Sequence, residues 1–542
     1  MADAHTRRLC VEIIHSSFGP LTAKLASVLL TKGRLPLAQL ARISELKLRT
    51  ARAAILVLVQ HNILWHAKPD DELEMFEINV DECLMRLRFG RFVWLSEQIF
   101  GQAASDIIQT ILDHGKLQSG DILSLLPAHD AKKKSLYTQT LCKLVSTSYL
   151  KPSTILSHLS PRDKAIQYES EEKRKIPGFP TAKELREAKE VAQARLKREE
   201  EEAEKVGLKR KAIDQQGPRS NKRKVTGNED VIDESVYFRV NYDKFNIHIR
   251  NTVIERDAKE RFNLGAGLVM KATMKATETS QLSISEPRSQ PTSVANIALQ
   301  LSDEANLSSF LIYPSKKVSN LTCLKDYLGM LSSADNPTAE GKASSFVSYG
   351  ASKVQVEFEV VARRLRRDIV EYVARDKHGP EGLRIIRLLL DTGKMDEKQI
   401  SKVVMLAPKD VRPLLVALSA DSLISTQEVP KSADRNPART FYLWHVDLQK
   451  AFSVILGNVY KTLYNIMARR RAEREISEVA VVLEKCERSD VSQDESLLTR
   501  LERDLLKEWR TKQTKLGVLE MRVEEIVFLL KDLGVVCVTS EE

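Results

Sequence analysis

The sequence predicts a mainly α fold in which bundles of helices carry small β wings. Three observations lead there. A phrase centred on glycine occurs three times, a second phrase follows each copy at a similar distance, and the last ninety residues carry a long three–four alternation of apolar positions. A unit that recurs in this way is a small domain used several times.

The first phrase is Leu30-Thr31-Lys32-Gly33-Arg34-Leu35-Pro36-Leu37-Ala38-Gln39-Leu40. It aligns without a gap with Leu112 to Ile122, around Gly115, and with Leu390 to Ile400, around Gly393. The second phrase is Leu58 to Ile63-Leu64, Leu144 to Tyr149-Leu150 and Leu418 to Leu423-Ile424. In each copy an apolar helix is expected to end at the glycine, which adopts left-handed backbone without steric cost. A short helix follows (Pro36 to Ile43 in the first copy), with Pro at a tolerated first-turn position. A longer helix, Leu46 to His61, places Leu48, Ala51, Ile55, Leu58 and Val59 near helical spacing. It gives way to β-type residues, Ile63-Leu64-Trp65, and after the turn Pro69-Asp70-Asp71 to Met75-Phe76-Glu77-Ile78. Three helices and a two-stranded hairpin make the winged-helix plan. A purely helical repeat fits less well, because the period is irregular, the copies are far apart and β-rich text follows the long helices.

Composition bounds the rest. A chain of 542 residues implies several domains. It has no run of eighteen apolar residues that would span a membrane and no secretory leader, since Cys10 to Ile14 is too short an apolar run. Six scattered cysteines without paired spacing read as reduced thiols, with no zinc site and no disulfide framework. A net charge of +10 favours acidic polymers or acidic proteins as partners.

In chain order, residues 1–80 form the first winged helix and 83–159 the second, entered through a helix at Phe92 to Phe100. Residues 160–232 read as a charged, largely disordered linker: Lys183 to Val206 alternates Lys/Arg with Glu, has almost no apolar stripe, and is either a solvated single helix or disordered, unable to fold alone. Within it Lys209-Arg210-Lys211 and Lys222-Arg223-Lys224 resemble a bipartite nuclear import signal. Residues 236–359 form a third module that lacks the glycine phrase. A strand at Tyr237 to Val240 opens it, followed by a helix around Phe245 to Phe262. Gly265 and Gly267 precede a helix through Thr277, Leu321 to Leu331 is the long helix, and Phe346 to Phe358 is the wing. Polar insertions interrupt it at Gln281 to Thr292 and Ser332 to Ser345. Residues 361–448 form the fourth module, its wing at Leu423 to Val429 and Thr440 to Trp444. Residues 449–542 form the coiled-coil hairpin, with Phe452, Leu456, Val459, Leu463 and Ile466 in one stripe. After a polar break the other stripe takes Leu505, Trp509, Lys512, Leu516, Leu519, Val523, Ile526, Leu530 and Leu533. Such a coil pairs either within the chain or with another chain.

No catalytic constellation is present. The sequence has no Walker-type loop and no His-Glu-x2-His. Gly265-Ala266-Gly267 lacks the third glycine of a dinucleotide fingerprint, and the ten histidines are dispersed. The chain is therefore expected not to be an enzyme, and no cofactor, metal, small-molecule substrate or membrane partner is expected.

Specific residues point further. His15-Ser16-Ser17-Phe18-Gly19, Leu29 to Leu35 and, above all, Val57-Leu58-Val59-Gln60-His61-Asn62 resemble the start of one family. That family is the third-largest subunit of eukaryotic RNA polymerase III, the largest member of that enzyme's initiation heterotrimer. Four modules, a charged linker after the second and a terminal coil match it in order over essentially the whole chain. The resemblance implies kinship with the large subunit of general transcription factor IIE. It implies a non-catalytic nuclear subunit that sits on the polymerase clamp and holds the two other heterotrimer subunits. Such a subunit assists promoter recruitment and DNA opening for small untranslated RNAs such as tRNA and 5S rRNA. The alternatives are a free-standing, sequence-specific winged-helix transcription factor, or a scaffold of another nuclear assembly.

Winged helices meet DNA through the long helix and the wing, phosphates first. The basic candidates are Lys47, Arg49 and Arg52 on the first long helix, Lys132, Lys133 and Lys134 before the second, and Lys409 and Arg412 on the fourth. Arg469, Arg470 and Arg471 on the terminal hairpin complete the set. Contact with DNA would be non-specific. The same surfaces serve equally to dock acidic proteins.

Overall fold

Left-handed backbone at fixed positions shapes three of the modules. Gly19 and Gly33 flank the helix Pro20–Lys32 with φ of 88° and 86°. Gly101 and Gly115 flank Gln102–His114 with 90° and 86°. Gly379, at 72°, breaks the long helix Phe358–Thr392, and Gly393, at 85°, ends it. Each pair is fourteen positions apart. The second glycine of each pair donates its N–H to the carbonyl four residues earlier, on Leu29, Ile111 and Leu389, at 2.7–3.0 Å.

The second phrase is also a backbone device. Asn62, Ser148 and Ser422 have φ of 57°, 61° and 58°. The next residue, Ile63, Tyr149 or Leu423, donates to the carbonyl of Leu58, Leu144 or Leu418 at 2.9–3.0 Å. This is a Schellman cap with its apolar pair buried, and it closes each long helix.

The computed structural model describes residues 3–67, 74–127, 131–176, 181–205, 208–210, 230–301, 307–311, 319–332, 344–350, 353–431, 440–488, 490–491 and 497–533. It divides into two units, Met1–Phe245 and Asn246–Glu542. Antiparallel sheets of two or three short strands accompany the helices.

In the first unit, Leu37–Ile43 and Leu48–Gln60 follow the first glycine phrase. Met75–Ile78 lies between Leu35–Pro36 and Leu64–Ala67. The expected turn at Pro69-Asp70-Asp71 lies outside the described residues. Leu25, Leu40, Leu58 and Leu64 are fully enclosed in the core.

The next sheet corrects one expectation. Tyr237–Val240, expected to open the third module, is the central strand between Leu117–Gln118 and Leu150–Pro152. The pairing is Leu117 with Phe238 and Leu150 with Val240. The reason is local: Leu150–Pro152 runs into a 3₁₀ turn, Ile155–His158, so no hairpin partner follows it directly. The alternate residues Phe238 and Val240 bring the missing apolar face, both at least 98% buried. Beyond the strand, Tyr242 stacks on Phe92 at 5.6 Å, and Phe245 meets Phe92 and Tyr149, each at 5.2 Å.

The intervening segment is not a disordered linker over 161–176 and 181–205. Pro161–Arg174 and Ala182–Lys205 are helices packed on one another. Small residues replace the missing large apolar stripe: Ala188 and Ala192, one turn apart, are buried, as is Tyr168. Arg195 lies 4.2 Å over the Tyr168 ring and bonds Glu171 at 2.8 Å and Glu199 at 3.3 Å. Arg34, from the first glycine phrase, ties Glu77 and Asp163 together. Lys209 and Arg210 lie in the short strand Leu208–Arg210, paired with Asp230–Ile232. Lys211, Lys222, Arg223 and Lys224 lie outside the described residues.

The helix Tyr242–Arg261 contains the division between units. In the second unit, Leu264–Thr277, Val294–Gln300 and Asn320–Leu331 build the third module. Its sheet orders Val347–Gly350, Lys353–Val356 and Thr292–Ser293. Gly265 and Gly267 lie inside the first helical turn rather than before it. They are there for space, since a Cβ on Gly265 would strike the Tyr327 hydroxyl. The stretch from Gln281 is packed in rather than a loose insertion. Gln281 is fully buried and accepts from Arg250 at 2.8 Å, and Arg250 lies 3.6 Å over the Phe358 ring. Burial lowers the Arg250 pKa to about 10.

The fourth set comprises Glu397–Val404, opened by an Asp396/Gln399 capping box, then Pro408–Ala420 and the hairpin Ser425–Pro430 with Thr440–His445. The third strand shrinks to a bridge between Met395 and Trp444. Leu448–Glu475 then packs antiparallel on Arg500–Val527. Lys512 lies 3.6 Å from Glu473, and Ile526 and Leu530 join the cluster that holds Ile455. The contact face differs from the expected stripe. Leu519 is 45% exposed, whereas Gln513 and Glu520 face Arg470 from the opposite helix. A cation on one helix draws an anion into the seam and turns the leucine outward.

These glycines make unequal demands. A Cβ at Gly33 or Gly393 would meet nothing within 4 Å, but at Gly115 it would strike the Gln60 carbonyl and the His61 ring. Gly393→Ala is expected to cost about 1–2 kcal/mol from backbone strain alone. Gly115→Ala should cost about 3 kcal/mol or more. Urea unfolding of the two variants measures the difference, and equal losses would contradict the close approach.

Candidate nucleic-acid and partner interfaces

The basic clusters differ in what already neutralises them. Lys47 is the N-cap of Leu48–Gln60, with Arg49 and Arg52 in its first turns. All three are exposed, and none makes an ion pair among the described residues. Lys132, Lys133 and Lys134 occupy the first turn of Ala131–Ser146. They too are exposed, with no ion pair among the described residues. Three cations at a helix N-terminus oppose the helix dipole, and an external anion relieves that repulsion. Lys409 is exposed and unpaired among the described residues. Arg412, one turn on, is held by Glu397 at 2.6 Å.

Arg469, Arg470 and Arg471 are engaged within the terminal helices. Arg469 pairs with Glu473, Arg470 with Glu520, and Arg471 with Glu475 at 3.8 Å. Arg470 also bonds Gln513 at 3.3 Å. Their sequence, three like charges in a row, signals a polyanion site. Their geometry is different: Arg469 and Arg471 pair along their own helix, and Arg470 clasps the opposite one.

The phrase Gln60-His61-Asn62 acquires a role that sequence reasoning missed. Gln60 Nε2 donates to the carbonyls of His114 at 3.1 Å and Lys116 at 2.6 Å, on either side of Gly115. His61 packs tilted against Phe18, ring centroids 4.6 Å apart, and the Arg86 guanidinium lies 4.5 Å over the Phe18 ring. The end of the first long helix is thus bolted to the glycine turn of the second module. The signal for this is a glutamine one residue beyond the apolar stripe, and it has meaning only once its distant acceptors are known.

Below this bolt lies a polar seam. A cavity of about 360 Å³ is lined by Glu82, Glu199 and Asp243 and by Lys151, Lys164 and Arg239, together with uncharged residues. Glu82 and Arg239 approach to 3.6 Å, and Lys151 and Asp243 to 3.7 Å. The charges balance, and the seam joins the first module to the sheet of the second. Burial, reinforced by neighbouring cations, lowers the pKa of His61 and of His158 to about 4.

Comparison with known proteins finds likeness to one group of subunits. Residues 8–67 match the helix-turn-helix domain of RNA polymerase III subunit RPC82, and residues 370–446 match the C-terminal winged-helix domain of POLR3C. The chain is 24% identical over 553 residues to human DNA-directed RNA polymerase III subunit RPC3, covering 97% of both chains. It is 25% identical over 555 residues to the Danio rerio RPC3 subunit, again covering 97% of each. It is 25% identical over 638 residues to the Aspergillus niger subunit, covering 98% of this chain and all of that one. The resemblance read from the residues is borne out: the chain is a relative of RNA polymerase III RPC3 subunits along nearly its whole length.

The buried histidines give a pH expectation. Unfolded histidine protonates near pH 6.5, whereas these two resist protonation until about 4. The unfolded chain therefore binds more protons between those values. Stability should be full above pH 6.5, fall as pH drops from 6.5 toward 4, and reach its limit below 4. Urea midpoints followed against pH should show this slope, and His61→Phe should flatten it.

Proposed function

We infer that this relative of RPC3 is a non-catalytic subunit of nuclear RNA polymerase III. The observation that carries the reading is end-to-end similarity to RPC3 subunits, with a family domain near each end. On this reading the chain docks on the polymerase clamp and holds the other two initiation subunits. It assists promoter recruitment and DNA opening for small untranslated RNAs such as tRNA and 5S rRNA. Several small modules in series suit a scaffold better than a single reader. The outward Val518, Leu519 and Met521 of the terminal helix, each 44–51% exposed, give an apolar face for docking. The basic groups Lys209 to Lys211 and Lys222 to Lys224 serve nuclear entry.

DNA is contacted without sequence preference, and Lys132, Lys133 and Lys134 are the best-supported contacts because three consecutive cations have no ion pair among the described residues. Lys47, Arg49, Arg52 and Lys409 are equally free of ion pairs among the described residues, whereas Arg412 and Arg469 to Arg471 are partly or wholly engaged.

Tagged protein should co-elute with RNA polymerase III and lose that association when the first module is deleted. Assembly that survives the deletion would contradict docking through that module. Replacing Lys132, Lys133 and Lys134 together by Ala should weaken duplex binding uniformly across sequences. It should also reduce the slope of log K against log salt by about 2–3. Arg470→Ala should instead lower the stability of the terminal helices and leave the salt slope unchanged.

A further inference from the structure

The long helices of the first and fourth modules expose the same three-residue face. Leu48–Gln60 and Pro408–Ala420 are both 13 residues long and end in the same Schellman cap, at Asn62 and Ser422. Counted from those caps, Arg49 corresponds to Lys409, Arg52 to Arg412 and Leu56 to Val416. The spacing is i, i+3, i+7, so each trio lies on one side of its helix. Leu56 is 69% exposed and Val416 63%. Apolar neighbours extend both faces: Leu48 and Val57 on the first helix, and Met405, 90% exposed, in the turn before the second.

This arrangement is ill suited to DNA. A helix that reads or tracks a groove presents polar side chains to bases and phosphates. A large aliphatic side chain at the centre of the face loses its water there without gaining an apolar partner. The second module shows the contrast. The same count from Ser148 places Ser135, Thr138 and Cys142 where the trio would stand; its cations lie earlier, as three in a row at Lys132 to Lys134, and its exposed aliphatic residue, Leu136, stands outside the trio positions. The fourth module also shows how a carboxylate is received, because Glu397 sits on Arg412 at 2.6 Å. In the first module Arg49 and Arg52 have no such acid among the described residues.

We propose that these two helix faces each dock an acidic, amphipathic segment of a partner protein. Carboxylates of the segment lie against Arg49 and Arg52, or against Lys409 beside the Arg412–Glu397 pair, while its aliphatic side chains cover Leu56 or Val416. Two cations followed by an aliphatic residue fit a segment that alternates Asp or Glu with Leu, Ile or Val at helical spacing. This deepens the reading of the chain as a subunit of a larger assembly, and it separates protein-facing modules from the DNA-facing second one.

Two measurements test it. The isolated full chain is titrated with a fluorescent helical peptide bearing Glu and Leu at i, i+3, i+4 and i+7, and separately with duplex DNA. Leu56→Ala combined with Val416→Ala should weaken peptide binding about tenfold and leave DNA binding unchanged. Unchanged peptide affinity, or an equal loss for DNA, overturns the proposal. A photo-crosslinking amino acid placed at Leu56 or at Val416 in purified polymerase should join a peptide rich in Asp and Glu. Crosslinks to DNA, to a peptide without acids, or to nothing overturn it. If the chain does not co-purify with polymerase, the subunit reading fails, while the peptide titration still decides this proposal.

Discussion

Left-handed backbone at matched positions is the constraint on which the repeated architecture rests. A helix that must turn sharply at both ends needs a residue there whose φ is positive, and glycine accepts this without a Cβ clash. Gly19 and Gly33, Gly101 and Gly115, and Gly379 and Gly393 supply that turn at one fixed spacing, so three helices of equal length present equivalent faces. The Schellman caps at Asn62, Ser148 and Ser422 then fix where each long helix stops and each wing begins. The third module carries none of these positive-φ residues among its described positions. It is organised instead by buried side chains, with Arg250 between Gln281 and the Phe358 ring.

The glycine turn also acts between modules. Gly115 lies against the Gln60 carbonyl, so the end of one long helix seats in the turn of the next module. The sheet of that module is completed only when the chain returns at Tyr237–Val240. The two helices that intervene are therefore part of a closed unit. Their charged surfaces hold one another through Arg195, Glu171 and Glu199, around a seam of alanines.

Charge alone does not identify a nucleic-acid surface in this chain. The run Arg469 to Arg471 is matched by Glu473, Glu475 and Glu520, and through Arg470 it holds two helices together. Lys132 to Lys134 have no such match among the described residues. On Leu48–Gln60 and Pro408–Ala420 cations stand beside exposed aliphatic residues, a mixture that suits a protein partner.

The sequence by itself determined the repeated unit, the helix order and the kinship. The glycine phrases, the apolar spacing and Val59-Gln60-His61-Asn62 are local signals, because a left-handed turn or an amphipathic helix is specified within a few residues. The wing strands of the first and fourth modules were legible for the same reason. The tertiary structure decided what depends on partners far along the chain. It assigned Tyr237–Val240 to the sheet of the second module, since strand pairing has no local code. It packed Pro161–Arg174 and Ala182–Lys205 as helices, since small alanines bury a seam that large-residue patterns do not announce. It moved Leu519 out of the terminal seam and Glu520 into it, since an arginine on the opposite helix changes which face is favourable to bury. It also separated the engaged arginines from the open lysines, because a charge acquires its function from the groups that surround it in space.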